Sequence, residues 1–283
     1  MVSIESRQVL TDDPRRCAVV GFPVQHSLSP AIHRAAYAHL GLDWSYDAVE
    51  IEPGGLPAFV AGLDRNQWRG LSVTMPHKED AATLGTPDDM VRLSGVANTV
   101  VFDGDETTVH NTDVRGFEVA LAAHGVTTVE SPVIVGNGAT ARSALVVVAR
   151  LGATRAQVWC RVRERADHLR ELGAALGVAL EVQALAEVEG HGSAHDVVLS
   201  TIPAAGAASL ATTIADTAEM VFDVIYDPWP TPLAEAASAR GCDVVNGLDL
   251  LAAQAVGQIE LFTGSTVEMD VTLQAARRAL RED

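Results

Sequence analysis

Short apolar runs alternate along the chain with stretches in which apolar residues recur every three to four positions. The short runs predict strands at residues 17–21, 44–51, 70–74, 97–102 and 107–111, with helices at 30–40, 54–63, just after Pro76 and at 113–124. A second series follows, with strands at 133–136, 157–160, 196–200, 220–226 and 243–245. Its helices fall at 139–151, 164–176 and after Pro232, and helical stretches at 248–262 and 271–280 close the chain. Alternation of this kind predicts an α/β fold with parallel strands. There is no internal repeat and no low-complexity linker; residues 187–195 form the loosest predicted loop.

At about 150 residues per domain, a chain of 283 residues accommodates two domains, each able to bury a core. An apolar fraction of 48% excludes a disordered chain. Charged residues interrupt every apolar stretch before the ~20 residues of a membrane span. No basic segment followed by an apolar one opens the chain, so a secretory signal is not expected. The formal charge of −17 disfavours nucleic acid and anionic membranes as partners. The three cysteines, Cys17, Cys160 and Cys242, are widely spaced, which points to a reducing cytoplasm and to neither a disulfide framework nor a zinc site. His191 and His195 are four residues apart but lie beside glycines in the loose loop, and no metal site is expected there.

Of the 20 basic residues, Lys78 is the only lysine. Compositional bias accounts for the depletion but not for the one lysine that remains. Arginine serves surface ion pairing at least as well, whereas a titratable amine is needed for proton chemistry.

The strand ending at Gly136 runs into G-N-G-A-T-A, with Gly136, Gly138 and Ala141 opening a helix, in the pattern of a dinucleotide-binding turn. The first glycine permits the turn and the second lets backbone approach a pyrophosphate at the helix N-terminus. Where an NAD site would place an acid after the next strand, the chain reads C-R-V-R-E-R, and residues 155–170 carry a net +3. That reversal suits a 2′-phosphate, though a solvated helix start would look similar. In H-S-L-S-P (26–30), Ser29 reads as an N-cap before Pro30 at the first helical position, while Ser27 is free to receive a small carboxylate. Asp113 in N-T-D also fits an N-cap, and Gln254 lies on the apolar stripe of its helix, where an amide needs a partner.

These segments together resemble the shikimate dehydrogenase family from about Gly21 to Gly264. The resemblance rests on G-F-P-V-Q-H-S-L-S-P (21–30), S-V-T-M-P-H-K (72–78), G-V-A-N-T (95–99) and N-T-D-V-R-G (111–116). F-D-V-I-Y-D-P-W-P-T-P-L (222–233) and N-G-L-D-L-L-A-A-Q-A (246–255) complete it. It implies an N-terminal α/β substrate domain at 1–113 and a Rossmann-type parallel-sheet NADP domain at 114–246, with helices at 247–283 returning to the first domain. It also implies the reaction, reversible NADPH-dependent reduction of 3-dehydroshikimate to shikimate on the way to aromatic amino acids.

By the same resemblance, Lys78 and Asp113 form the catalytic pair, Ser27, Ser29 and Tyr226 hold the substrate carboxylate, and Thr74, Asn98 and Gln254 the ring hydroxyls. NADP falls to Gly136, Asn137, Gly138, Ala139, Thr140 and Ala141, to Arg161 and Arg163, and to Thr201 and Gly247, with no metal. The expected partner is the small-molecule substrate, in a cytoplasmic monomer or homodimer that binds neither nucleic acid nor membrane. Three departures stand out: G-N-G-A for the family's G-A-G-G, Cys160-Arg161-Val162 for N-R-T or N-R-S, and Leu250 for a common Met. A charged hydrogen bond outweighs a neutral one, so Arg161 keeps the expectation at NADP. The alternatives are a quinate/shikimate dehydrogenase, possibly NAD-dependent, and a nucleotide-sensing regulator, which would have lost Lys78 or Asp113.

Overall fold

The structure, a computed structural model, describes residues 14–188 and 195–282. In chain order its elements begin with β1 (Arg16–Gly21), α1 (Ser29–His39), β2 (Ser45–Glu50), α2 (Leu56–Ala61), β3 (Trp68–Val73), α3 (Lys78–Ala81) and β4 (Thr86–Pro87). Then follow α4 (Asp89–Ser94), β5 (Thr99–Asp103), β6 (Glu106–His110), α5 (Thr112–Ala123), β7 (Val133–Val135), α6 (Ala139–Arg150) and β8 (Arg155–Cys160). The remainder is α7 (Asp167–Leu176), β9 (Ala179–Ala184), β10 (His195–Ser200), α8 (Ala204–Ala207), α9 (Ala211–Thr217), β11 (Ala218–Asp223), α10 (Pro232–Ala239), β12 (Asp243–Asn246), α11 (Gly247–Thr263) and α12 (Met269–Glu282). They divide into two compact units. The first comprises the described residues up to Asp88, Ala97–Thr112 and those from Ala255 on; the second comprises Asp89–Val96 and Asp113–Gln254.

In the first unit a six-stranded sheet runs β2-β1-β3-β5-β6-β4. Strand β1 pairs in parallel with β2 and β3, and its residues after Arg16 are all buried, as expected of a strand covered on both faces. The sheet is mixed: β1, β2 and β3 are parallel, and β5 is antiparallel to both its neighbours. Strand β5 runs antiparallel to β3 and folds back on β6 through a turn at Gly104, whose φ of 57° is left-handed. Antiparallel pairing carries the start of β5 to the carboxyl end of β3, with Thr99 opposite Ser72. The end of α11 closes on this sheet at Gly70, where a Cβ would lie 2.3 Å from Phe262 Cε1 and 2.7 Å from the Val100 carbonyl oxygen. Helix α12 packs on α1.

In the second unit the sheet order is β12-β11-β10-β7-β8-β9, every neighbouring pair parallel. This is the doubly wound order, with its reversal between β7 and β10. The fold is thus an α/β fold of two sheets, one of them Rossmann-type. Strand β9, helices α8 and α9 and the short α4 and β4 have no counterpart among the predicted elements. Strand β9 is an edge with only one buried residue, Val182, so its side chains carry little alternation. Among the described residues no helix is long and apolar enough to cross a membrane.

Candidate active site

In the first unit, five of the sequence-predicted residues gather at the carboxyl ends of β1 and β3, the edge where α/β sheets bind ligands. The chain leaves β1 at Gly21, where a Cβ would stand 2.4 Å from Thr74 Cγ2 and 3.0 Å from the Met75 carbonyl oxygen. Only glycine lets the two loops meet. There Phe22 N–H donates to Met75 O at 3.0 Å and Thr74 N–H to Val20 O at 2.9 Å.

The serines are placed differently from expectation. Helix α1 starts at Ser29 itself, so Pro30 is its second residue, and Leu28 occupies the N-cap position with no side-chain cap. Ser27 Oγ instead accepts the Ser29 N–H at 3.3 Å, so it is Ser27 that turns the chain into the helix. Ser29 is buried at 5% exposure, and Ser27 is half-buried.

Thr74 lies just past the end of β3, and its carbonyl accepts the His77 N–H at 3.0 Å. His77, which sequence reasoning passed over, is fully buried and bonds the Ile51 carbonyl through Nε2 at 2.7 Å. The next residue, Lys78, opens α3 half-buried, and its carbonyl accepts Ala97 N–H at 2.8 Å. The lysine backbone is therefore tied on both sides. Asn98 stands opposite: its carbonyl accepts Val73 N–H at 2.7 Å, and its Oδ1 accepts the Thr112 N–H at 2.8 Å. Its amide thus satisfies an orphan donor at the start of α5.

Asp113 belongs to the second unit. It is the second residue of α5, buried at 5% exposure, and not the N-cap. Gln254, on α11, is 7% exposed and its Nε2 donates to Leu251 O at 2.9 Å, so the amide on the apolar stripe has a partner. Gly116 on α5 lets α11 approach, since a Cβ there would lie 3.0 Å from Gln254 Cβ.

The other candidates of this unit follow the carboxyl ends of its parallel strands. Gly136, at φ 116°, directly follows β7, and a Cβ on it would stand 2.4 Å from Thr201 Oγ1 beyond β10. Thr201 bonds Val135 O through both N–H and Oγ1 at 2.8 Å. Asn137 Nδ2 donates to Arg165 O at 2.9 Å, and His168 Nε2 bonds the Asn137 carbonyl at 2.9 Å. Gly138 is the N-cap of α6, without a side-chain cap, and a Cβ there would meet nothing within 4 Å. The chain itself does not require that glycine; a group lying against the start of α6 would. Ala139, Thr140 and Ala141 form the first turn of the helix.

Beyond β8, Arg161 is exposed and has no ion pair among the described residues, whereas Arg163 is paired with Glu187 and Arg170 with Asp167. Tyr226 is not on a strand, because β11 ends at Asp223; it rides on the loop to α10. Asp223 holds that loop, accepting the Thr231 hydroxyl at 2.7 Å and the Ile225 N–H at 3.2 Å, while burial pushes its carboxyl upward against those bonds. Gly247 opens α11 where a Cβ would lie 2.1 Å from the Val224 carbonyl oxygen, so it is needed for close backbone approach. His195 opens β10 rather than lying in a loop and bonds Ser131 O at 3.1 Å; His191 lies outside the described residues. Among the described residues no cluster of three His, Cys, Asp or Glu side chains suits a metal.

Sequence reasoning also missed Gln258, one turn beyond Gln254. It is 1% exposed and bonds Ser72, His33, Asn98 and Thr99. Its signal was the same as that of Gln254, a polar residue on an apolar stripe.

Comparisons with known proteins find relatives along most of the chain. Residues 19–100 match the family model described as the shikimate dehydrogenase substrate binding domain. The shikimate dehydrogenase (NADP(+)) of Methanocella arvoryzae is 33% identical over 270 residues, covering 93% of this chain and 98% of that protein. The crystal structure of Mycobacterium tuberculosis shikimate dehydrogenase superposes with a TM-score of 0.84 at 38% identity, over 94% of this chain and all of that one. A Thermus thermophilus shikimate 5-dehydrogenase, solved with NADP(H) and shikimate, has a TM-score of 0.79 at 28% identity, covering 94% and 99%. A third of its residues shared with a relative across nearly the whole of both chains shows that the chain belongs to the shikimate dehydrogenase family.

Proposed function

We propose that this protein catalyses the reversible NADPH-dependent reduction of 3-dehydroshikimate to shikimate, with the first unit binding the substrate and the second the cofactor. The observation that carries this reading is the placement of the only lysine. Lys78 is held by its neighbours' backbone bonds at the sheet edge that also gathers Ser27, Ser29, Thr74 and Asn98.

The residues present fit NADP. The uncapped start of α6 at Gly138 has room for a pyrophosphate, and its N–H groups and dipole favour an anion. Arg161, exposed and without an acidic partner among the described residues, supplies the charge for a 2′-phosphate. Gly136, Asn137, Ala139, Thr140, Ala141 and Thr201 surround that turn, and Gly247 opens α11 after the last strand. When bound, NADPH supplies the hydride.

Lys78 gives a proton to the oxygen of the forming alcohol and recovers it in the reverse direction, acid–base help worth roughly 10²–10⁴-fold. Asp113, the second member of the catalytic pair, holds the reacting hydroxyl. Ser27, Ser29 and Tyr226 bind the carboxylate by hydrogen bonds. Thr74, Asn98 and Gln254 bind the ring hydroxyls, the two amides being able both to donate and to accept. The enzyme works in the cytoplasm as a monomer or homodimer without a metal.

The test follows nicotinamide absorbance with shikimate or quinate against NADP or NAD. Turnover is expected with shikimate and NADP, with the other three combinations far slower. Comparable rates with quinate or NAD would overturn the assignment of substrate or cofactor, and no turnover in any combination would overturn the catalytic reading.

A further inference from the structure

Every hydrogen-bonding capacity of the Gln258 side chain is used, and of its four partners Asn98 is itself assigned to the substrate, Thr99 follows it and Ser72 lies two residues before Thr74. Its Nε2 donates to the Asn98 carbonyl at 3.0 Å and to Thr99 Oγ1 at 3.1 Å. Its Oε1 accepts from the Ser72 hydroxyl at 2.7 Å and from His33 Nε2 at 3.3 Å. The orientation is forced, because the flipped amide would set its oxygen against the Asn98 carbonyl oxygen. Tyr46 extends the network by donating to Ser72 Oγ at 2.6 Å and stacks on His33 at 4.1 Å between ring centroids.

The Asn98 carbonyl is therefore held from two sides, by Gln258 and by Val73 N–H. Thr99, the other acceptor of Gln258, donates its hydroxyl to Asn98 Oδ1 at 2.9 Å, so Gln258 reaches the Asn98 side chain as well as its peptide. Ser72 lies two residues before Thr74, on the strand that carries the Thr74–Lys78 loop. A residue serving only to fill space on this helix would be apolar, as Ile259 and Phe262 are, both fully buried. A buried amide with four partners specifies one arrangement of the elements around it.

We propose that Gln258 is a positioning residue that fixes the Asn98 peptide and the Ser72–Thr74 strand end, and thereby sets the affinity for the substrate's ring hydroxyls. The proposal rests on the reading of the first unit as the shikimate-binding unit. It assigns Gln258 no contact with substrate or cofactor.

The test compares Gln258→Met, Thr99→Val and Phe262→Leu with the wild-type protein, measuring shikimate and NADP affinities by calorimetry, KM and kcat by initial rates, and melting temperature. Gln258→Met is expected to raise the Kd and KM for shikimate by roughly 10- to 100-fold. Its affinity for NADP should stay within about twofold of wild type. Thr99→Val, which keeps the side-chain shape but deletes both an acceptor of Gln258 and the hydroxyl's own bond to Asn98 Oδ1, cuts the link between Gln258 and the Asn98 side chain; it should move the same constants by roughly 3- to 10-fold and tests the network if Gln258→Met does not fold. Phe262→Leu, on the same helix, should lower the melting temperature without raising the shikimate KM. Unchanged shikimate affinity in the folded Gln258→Met or Thr99→Val protein would overturn the positioning role, as would an equal rise in Phe262→Leu. A wild-type protein that does not bind shikimate would overturn the reading of the site, and the positioning role with it.

Discussion

Replacing Arg161 with alanine should separate the two nicotinamide cofactors. Five arginines crowd residues 155–170, but the structure gives them unequal freedom. Arg163 is paired with Glu187 and Arg170 with Asp167, while Arg161 is exposed and has no acidic partner among the described residues. A charged hydrogen bond is worth about 1.5–3 kcal/mol, and an arginine standing in solvent delivers the lower half of that range. Arg161→Ala should therefore lower kcat/KM for NADP by roughly 10- to 45-fold and leave NAD within about twofold. Arg163→Ala should cost less than about threefold, because its charge is already neutralised by Glu187. Glu187→Gln should release Arg163 and improve NADP by up to roughly fivefold, the worth of a surface ion pair. The assay is initial-rate kinetics with both cofactors at saturating shikimate and fixed ionic strength. Equal losses with NADP and NAD in Arg161→Ala, or a larger NADP loss in Arg163→Ala, would refute the assignment.

Three other outcomes follow from the structure. Lys78→Ala should lower turnover by roughly 10²–10⁴-fold while NADP binding, measured by calorimetry, is unchanged; near-normal turnover would remove the lysine from the chemistry. Burial holds the pKa of His33 down at about 3 against an ordinary 6.5, so below the ordinary value the unfolded chain takes up a proton that the folded one refuses. Stability from this group is complete above that value and falls with pH by about 1.4 kcal/mol per unit, or about 2 kcal/mol by pH 5. In urea unfolding, His33→Phe should lose that share of the difference between pH 7 and pH 5, and an unchanged difference would refute the neutral, buried histidine. Gly70→Ala drives a methyl against Phe262 and the Val100 carbonyl, and should cost about 1–3 kcal/mol and lower the melting temperature by roughly 3–10 °C. A melting temperature equal to wild type would show that α11 moves away at no cost.

Much of the second unit was legible because its signals are local. A strand buried on both faces is a continuous apolar run, as in Val133–Val135, and the glycine turn and helix start follow within a few residues. The lysine was legible as a count. What depended on a difference of one residue was not: whether Ser29 or Leu28 caps α1, and whether Asp113 precedes or enters α5, turn on backbone angles that neighbouring contacts decide. Strand β9 is recognisable only through its pairing with β8, and the mixed order of the first sheet only through the antiparallel partners of β5. Arg161 and Arg163 look alike in sequence; Glu187, more than twenty positions away, makes them different. Gln258 looks like a polar flaw on an apolar helix until β3, α1 and β5 bring its four partners to it. Composition and short-range pattern thus determined the α/β class, the dinucleotide turn and the residues available for chemistry. Which of those residues share an edge, and which are already bound to a neighbour, was decided by pairings between distant segments, because hydrogen bonds and ion pairs depend on distance in space and not along the chain.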